Sequence, residues 1–242
     1  MGAGWPEGPA DIPERVAEIA GGDEIIPVWR NELGGMTFRL RGVGEVRYVK
    51  HQRYAGLDAE HRGHVDLGVE AEKLAWAAEH VVVPKVLGHG EDDDGAWLVT
   101  AGMRGRSAYD PRWKRNPETA VRAIALGLRR LHDSAPTKDC PYAGAWLGPK
   151  APEAPEAERL VVCHGDPCVP NTLIHEDGSF SGHVDVTQLG VADRWSDLAI
   201  ATYSISWKVN FGRSYDGLFF GTYGVEPDEE RIRAYRELWD MS

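Results

Sequence analysis

Cysteine is scarce, basic residues are outnumbered, and apolar runs are short. Three cysteines in 242 residues do not make the disulfide framework of a small secreted domain. Lys and Arg total 27 against 38 Asp and Glu, a formal charge of −11. Such a balance argues against a chain whose main work is gripping nucleic-acid phosphates, which takes clustered bases. No uninterrupted apolar stretch approaches the roughly 20 residues a membrane helix needs. The opening Met1-Gly2-Ala3-Gly4-Trp5-Pro6-Glu7 has neither a basic flank nor an apolar run, so no secretory signal is expected and the cytoplasm is the default location. A hydrophobic content of 42% is that of a soluble globular chain and excludes a disordered or collagen-like one. Residues 1–101 carry 18 acids and 10 bases, whereas residues 102–242 carry 20 and 17. The second half is only mildly acidic, and global charge gives weak support for a cationic partner.

Two regions of different character follow. A short helix is expected over Asp11–Ala20, with Ile12, Val16 and Ile19 at helical spacing. Ile25–Trp29, Met36–Leu40 and Val46–Val49 read as consecutive antiparallel strands turning at Gly34-Gly35 and Gly42-Val43-Gly44. One helix is expected from about Val65 to His80, then strands at Lys85–Gly88 and Ala96–Thr100. Beyond Gly102 the pattern becomes mostly helical. Residues 117–132 place Val121, Ile124, Ala125, Leu128 and Leu131 on one stripe, with Pro117 at the start, where proline is tolerated. Residues 148–158 read as an exposed Pro/Ala/Glu linker. Short strands are expected at Leu160–Cys163, Thr172–His175 and Phe180–Asp185, and helices at about 195–207 and 228–239.

The densest polar cluster is His164-Gly165-Asp166-Pro167-Cys168-Val169-Pro170-Asn171, followed by Asp185. A strand runs into a loop holding Asp166 and Asn171, and a hairpin turning at Glu176-Asp177-Gly178 returns Asp185 beside them. Phosphoryl transfer needs such a set: a carboxylate to orient a hydroxyl and take its proton, and an amide oxygen with a second carboxylate for Mg²⁺. Each residue alone reads as a turn former or cap; the three together point to chemistry. Cys163, Cys168 and His164 lack the paired spacing of a zinc site.

His164-Gly165-Asp166-x-x-x-x-Asn171, Val184-Asp185 and the run Leu189–Ala199 resemble the catalytic and metal motifs of the aminoglycoside phosphotransferases, in particular the branch acting on 3′ or 3″ hydroxyls. The resemblance implies a bilobal, protein-kinase-like α+β fold. Residues 1–101 become a nucleotide-binding lobe, an antiparallel sheet with one main helix. Residues 102–242 become a catalytic and acceptor-binding lobe. It implies ATP and Mg²⁺ as cofactors, Asp166 as the catalytic residue, and Asn171 and Asp185 as metal ligands. By the same resemblance Lys50 contacts the α- and β-phosphates and pairs with Glu70, with Glu72 as the alternative partner. Gly34 and Gly35 cover the phosphates with backbone N–H groups, and backbone groups near Thr100 and Gly102 meet adenine. Asp197 reads as a brace of the catalytic loop, His164 as a structural ligand of backbone groups, and His132 as packing.

Three departures concern the acceptor. The stretch between Cys140-Pro141 and Val161-Val162 is short, leaving Glu153, Glu156 and Glu158 as local acids. Thr187 and Gln188 stand where the resemblance leads one to expect Gly and Arg. The chain ends Trp239-Asp240-Met241-Ser242, keeping Asp240 and the terminal carboxylate as substrate contacts, with Trp239 at a usual acid position. The expected partner is a small hydroxylated acceptor, a cationic amino-sugar, without nucleic acid or membrane, the protein being a monomer or a dimer. Alternatives are a kinase of another small metabolite and a non-catalytic nucleotide- or ligand-binding protein.

Overall fold

A computed structural model describes residues 3–6, 8 and 10–241. Its chain divides into two compact units, one comprising residues up to Trp76 together with Pro84–Gly102, the other Ala77–Val83 together with Met103 onward.

The first unit is built on a five-stranded antiparallel sheet in the order β1-β2-β3-β5-β4, from β1 (Glu24–Arg30), β2 (Met36–Arg41), β3 (Arg47–Gln52), β4 (Val86–Asp92) and β5 (Gly95–Ala101). Alternation along β3 decides what each face carries. Val49 points to the face where Phe38, Leu40 and Val99 pack against Val16 and Ala20 of α1 (Glu14–Ala20). Lys50, one residue on, points to the opposite face and meets α3 (Leu67–Ala77). Arg15 Nε and Nη2 donate to Asp92 Oδ2 at 3.1 and 3.0 Å, strapping α1 to the end of β4. The helix expected from about Val65 to His80 is α3, and a further short helix, α2 (Ala59–His64), precedes it. Carboxylates start both: Asp58 accepts from His61 N, and Asp66 Oδ1 accepts from the N–H groups of Gly68 and Val69.

In the second unit the core gathers around α5 (Pro117–Ser134), whose Val121, Ile124, Leu128 and Leu131 are buried as the stripe predicts. Packed with it are α6 (Arg194–Ser206), α7 (Asp216–Tyr223) and α8 (Glu229–Asp240), which bring Trp195, Phe219, Phe220, Tyr223 and Tyr235 to the same core. Two small sheets carry the polar cluster: β7 (Leu160–Cys163) with β10 (Gly190–Asp193), and β8 (Thr172–Ile174) between β6 (Arg106–Ser107) and β9 (Phe180–His183). Gly127 lets α5 approach β9, because a Cβ there would lie 2.5 Å from the Phe180 ring. A short α4 spans Pro111–Lys114. Instead of a linker beginning at 148, a 3₁₀ segment runs over Ala145–Glu153 with a kink at Gly148, and it starts by burying Trp146 and Leu147. No helix among the described residues is long and apolar enough to cross a membrane.

Candidate active site

The loop after β7 is held by one buried carboxylate. Asp197, in the first turn of α6, accepts from His164 N at 2.6 Å with Oδ2 and from Gly165 N at 3.0 Å with Oδ1. His132 Nε2 meets Oδ2 at 3.0 Å, and His132 Nδ1 meets the Tyr223 hydroxyl at 2.8 Å. Burial works to raise the Asp197 carboxyl, but these hydrogen bonds and the neighbouring imidazoles win and hold it below its ordinary value. Ligand atoms of His132, Cys163 and Asp197 lie within 4.8 Å of one another. Hydrogen bonds already engage His132 and Asp197, and burial pushes the Cys163 thiol well up, away from thiolate. The trio is a brace.

Further along, Asp166 N donates to His164 Nδ1 at 3.2 Å, so the proton of that imidazole sits on Nε2, which faces Val184 O at 3.1 Å. One ring thus ties the backbone of Asp166 to the residue preceding Asp185. Gly165 is required by space and by backbone: its φ is +86°, and a Cβ would fall 1.9 Å from Gln188 O. Val169 N donates to Ser204 Oγ at 3.1 Å, pinning the far end of the loop to the last turn of α6.

The hairpin brings Thr172 opposite His183. Strand β9 then ends two residues earlier than expected, because Val184 N turns to Asn171 O at 3.0 Å and Asp185 takes φ +61°, a left-handed conformation that Asp tolerates better than most residues. Asn171 Nδ2 donates to Asp166 Oδ2 at 2.9 Å and to Asp166 O at 3.0 Å. Its amide oxygen is left without a hydrogen-bond partner among the described residues. Asp166 Oδ1 is buried and also lacks one. Burial raises the Asp166 carboxyl above its usual range, and the charge of Asp185 adds to the rise. An amide oxygen beside a carboxylate is an oxygen-only donor set that fits Mg²⁺. His183, buried against His164, is pushed down to about 3 by burial and then by that neighbour, and so stays neutral.

In the first unit, Lys50 Nζ meets both carboxylate oxygens of Glu70, at 2.7 and 2.8 Å, with Glu70 only 2% exposed. Glu72, the alternative, is exposed. The turn at Gly34-Gly35 joins β1 to β2 and is closed by hydrogen bonds of its own. Gly34 N donates to Asn31 O at 3.3 Å and Gly35 N to Asn31 Oδ1 at 2.6 Å, so both N–H groups expected over the phosphates are taken within the turn. Asn31 Nδ2 in turn donates to Gln52 Oε1 at 2.9 Å, and Gln52 Nε2 to Leu33 O at 3.3 Å. A Cβ on Gly35 would lie 2.1 Å from Gln52 Oε1. Neither Asn31 nor Gln52 stands out in the sequence, although an Asn three residues before a glycine pair is a turn-closing signal. Gly102 N is likewise taken, by Val46 O at 2.7 Å, and Thr100 is paired on both sides in the sheet, with Tyr48 and Val86. Any base contact from Gly102 therefore uses its carbonyl. Asp240 Oδ2 accepts from the Tyr203 hydroxyl at 3.2 Å. The terminal carboxylate on Ser242 lies outside the described residues.

Comparison with known proteins bears on this geometry. The pattern of the phosphotransferase enzyme family matches residues 45–153 and 143–235. An aminoglycoside 3′-phosphotransferase of Streptomyces fradiae is 31% identical over 86% of this chain and 91% of its own. Streptomycin 3″-kinase of Streptomyces griseus is 32% identical over 90% of this chain and 92% of its own. Among solved structures, an aminoglycoside-3′-phosphotransferase of type VIII superposes with a TM-score of 0.75 at 29% identity, covering 91% of this chain and 94% of that one.

Proposed function

Because the chain belongs to the phosphotransferase enzyme family, we propose that it transfers the γ-phosphate of ATP to a hydroxyl of an aminoglycoside or related amino-sugar, in the cytoplasm, with Asp166 as the catalytic residue. The observation that carries this reading is the division of labour in one carboxylate: Oδ2 is fixed by Asn171 Nδ2, while buried Oδ1 has no partner among the described residues. That oxygen is suited to align the acceptor hydroxyl and take its proton. The acceptor oxygen then forms a bond to Pγ, the bond from Pγ to the β,γ-bridging oxygen breaks, and its electron pair leaves with ADP. Catalysis of this kind is chiefly positioning and electrostatics.

The first unit is assigned to the nucleotide. Lys50, held in place by buried Glu70, supplies a fixed positive charge for the α- and β-phosphates. In the second unit, Asn171 Oδ1 and the Asp185 carboxylate are the residues that fit Mg²⁺. Bound there, the ion supplies charge neutralisation for the triphosphate. Asp240 is assigned to the acceptor.

The test is coupled ADP release with aminoglycosides, other amino-sugars and no acceptor. Release that depends on an amino-sugar is the expected result; nucleotide binding without acceptor-dependent release overturns the reading. Asp185→Ala is expected to weaken ATP binding in Mg²⁺ at least about tenfold and to abolish the difference made by chelating the ion. Calorimetric titration with and without Mg²⁺ checks this, and unchanged affinity contradicts the metal role.

A further inference from the structure

Two side-chain amides outside the catalytic set lock the turn between β1 and β2. Gln52, only 2% exposed, ends β3 two positions after Lys50. Side chains alternate along a strand whose pairing has no register shift, so Gln52 and Lys50 share the face of the sheet opposite Val49. On that face Gln52 Oε1 accepts from Asn31 Nδ2 at 2.9 Å, while Gln52 Nε2 donates to Leu33 O at 3.3 Å and to Arg53 O at 3.0 Å. Asn31 in turn closes the loop, its Oδ1 accepting from Gly35 N at 2.6 Å and its backbone O from Gly34 N at 3.3 Å. The turn is thereby tied to the strand, and to the side of it, that presents the Lys50 ammonium. Gly35 shows how closely the amides sit, because a Cβ there would lie 2.1 Å from Gln52 Oε1 and 2.6 Å from Asn31 Nδ2. Its backbone is not left-handed, so the amide pair alone demands glycine at this position.

With Gly34 N and Gly35 N already satisfied, the turn holds its shape without an anion to fold around. A loop ordered in advance loses little conformational freedom when its ligand arrives, and the avoided loss appears as affinity. We infer that Asn31 and Gln52 are positioning residues, a two-amide clamp that holds the Gly34-Gly35 turn beside Lys50 as a pre-formed cover for the triphosphate. This rests on the phosphotransferase reading, through the assignment of Lys50 to the phosphates, and adds to it residues that act through the turn. A turn that instead gave its Gly35 N–H to a phosphate oxygen would have Asn31 as a competitor, and loss of Asn31 would then tighten nucleotide binding. The two roles differ in sign.

Calorimetric titration of the full chain with Mg·ATP and with adenosine separates a role toward the phosphates from general damage to the sheet. Asn31→Ala is expected to weaken Mg·ATP about tenfold and to leave adenosine within about twofold. Gly35→Ala, which drives a Cβ into the amide pair, is expected to act in the same way. Adding Gln52→Ala to Asn31→Ala should bring no further loss, because both substitutions open one clamp. Thermal melting reports whether the variants fold. Asn31 is only partly buried, so if Gln52→Ala does not fold, Asn31→Ala and Gly35→Ala carry the comparison. Unchanged or tighter Mg·ATP binding by folded Asn31→Ala overturns the inference, as does an equal loss for adenosine. Acceptor-dependent ADP release by the parent protein keeps the phosphotransferase reading in place in those cases. If the parent binds Mg·ATP but no amino-sugar elicits release, that reading fails, and the same titrations still decide for or against the clamp.

Discussion

Asp166→Ala is expected to lower turnover of the acceptor by about 10²- to 10⁴-fold, the usual contribution of a positioned general base, while affinity for ATP changes little. The two halves of that expectation have separate structural causes. Loss of the carboxylate removes Oδ1, the atom suited to hold the acceptor hydroxyl. The neighbouring Asn171 keeps its place, because Nδ2 also donates to the backbone carbonyl of residue 166 at 3.0 Å, a bond the substitution leaves intact. Steady-state rates and nucleotide titration on the same preparation separate the effects. Near-normal phosphorylation by the variant removes Asp166 from the mechanism.

The second large effect is on folding. Asp197→Ala is expected to cost about 3–5 kcal/mol, because it strips a buried imidazole and two buried N–H groups of their acceptor at once. For a chain of this size that corresponds to a fall in Tm of roughly 10 °C. Asp197→Asn, which keeps one acceptor oxygen, should retain part of the stability. The depressed Asp197 carboxyl also sets a sign with pH. Its contribution is fully present above the unfolded carboxyl value near ~3.9 and is lost as pH falls through the lower folded value. The cost of Asp197→Ala should therefore be full at neutral pH and shrink in strong acid. Urea unfolding at several pH values measures both; a variant within about 1 kcal/mol of the parent at neutral pH contradicts the bracing role.

Much of the site was legible because its chemistry is local. Asp166, Asn171 and Asp185 are linked by one tight hairpin, and Glu176-Asp177-Gly178 announces that hairpin directly. The stripe of α5 was equally plain, since Val121, Ile124, Leu128 and Leu131 repeat at helical spacing over an unbroken length. Elements whose stability comes from distant partners were missed. Strand β10 is four residues beginning with glycine and exists because β7 lies beside it. Helix α7 holds two glycines among aromatic residues and is fixed by burying Phe219, Phe220 and Tyr223. Trp146 and Leu147 gave no sign that the following proline-rich stretch would begin as an ordered, buried turn. The hydrogen bonds that close the Gly34-Gly35 turn were hidden for a related reason: Gly34 N goes to the Asn31 carbonyl and Gly35 N to the Asn31 side chain, whose orientation is set by Gln52, far away in sequence.

The most direct measurement is mass spectrometry of an amino-sugar acceptor after incubation with the protein and Mg·ATP. A gain of one phosphoryl group with the parent protein, absent with Asp166→Ala, is the predicted result. An unmodified acceptor with the folded, ATP-binding parent, or equal modification by both proteins, contradicts the assignment of phosphoryl transfer to the Asp166 loop.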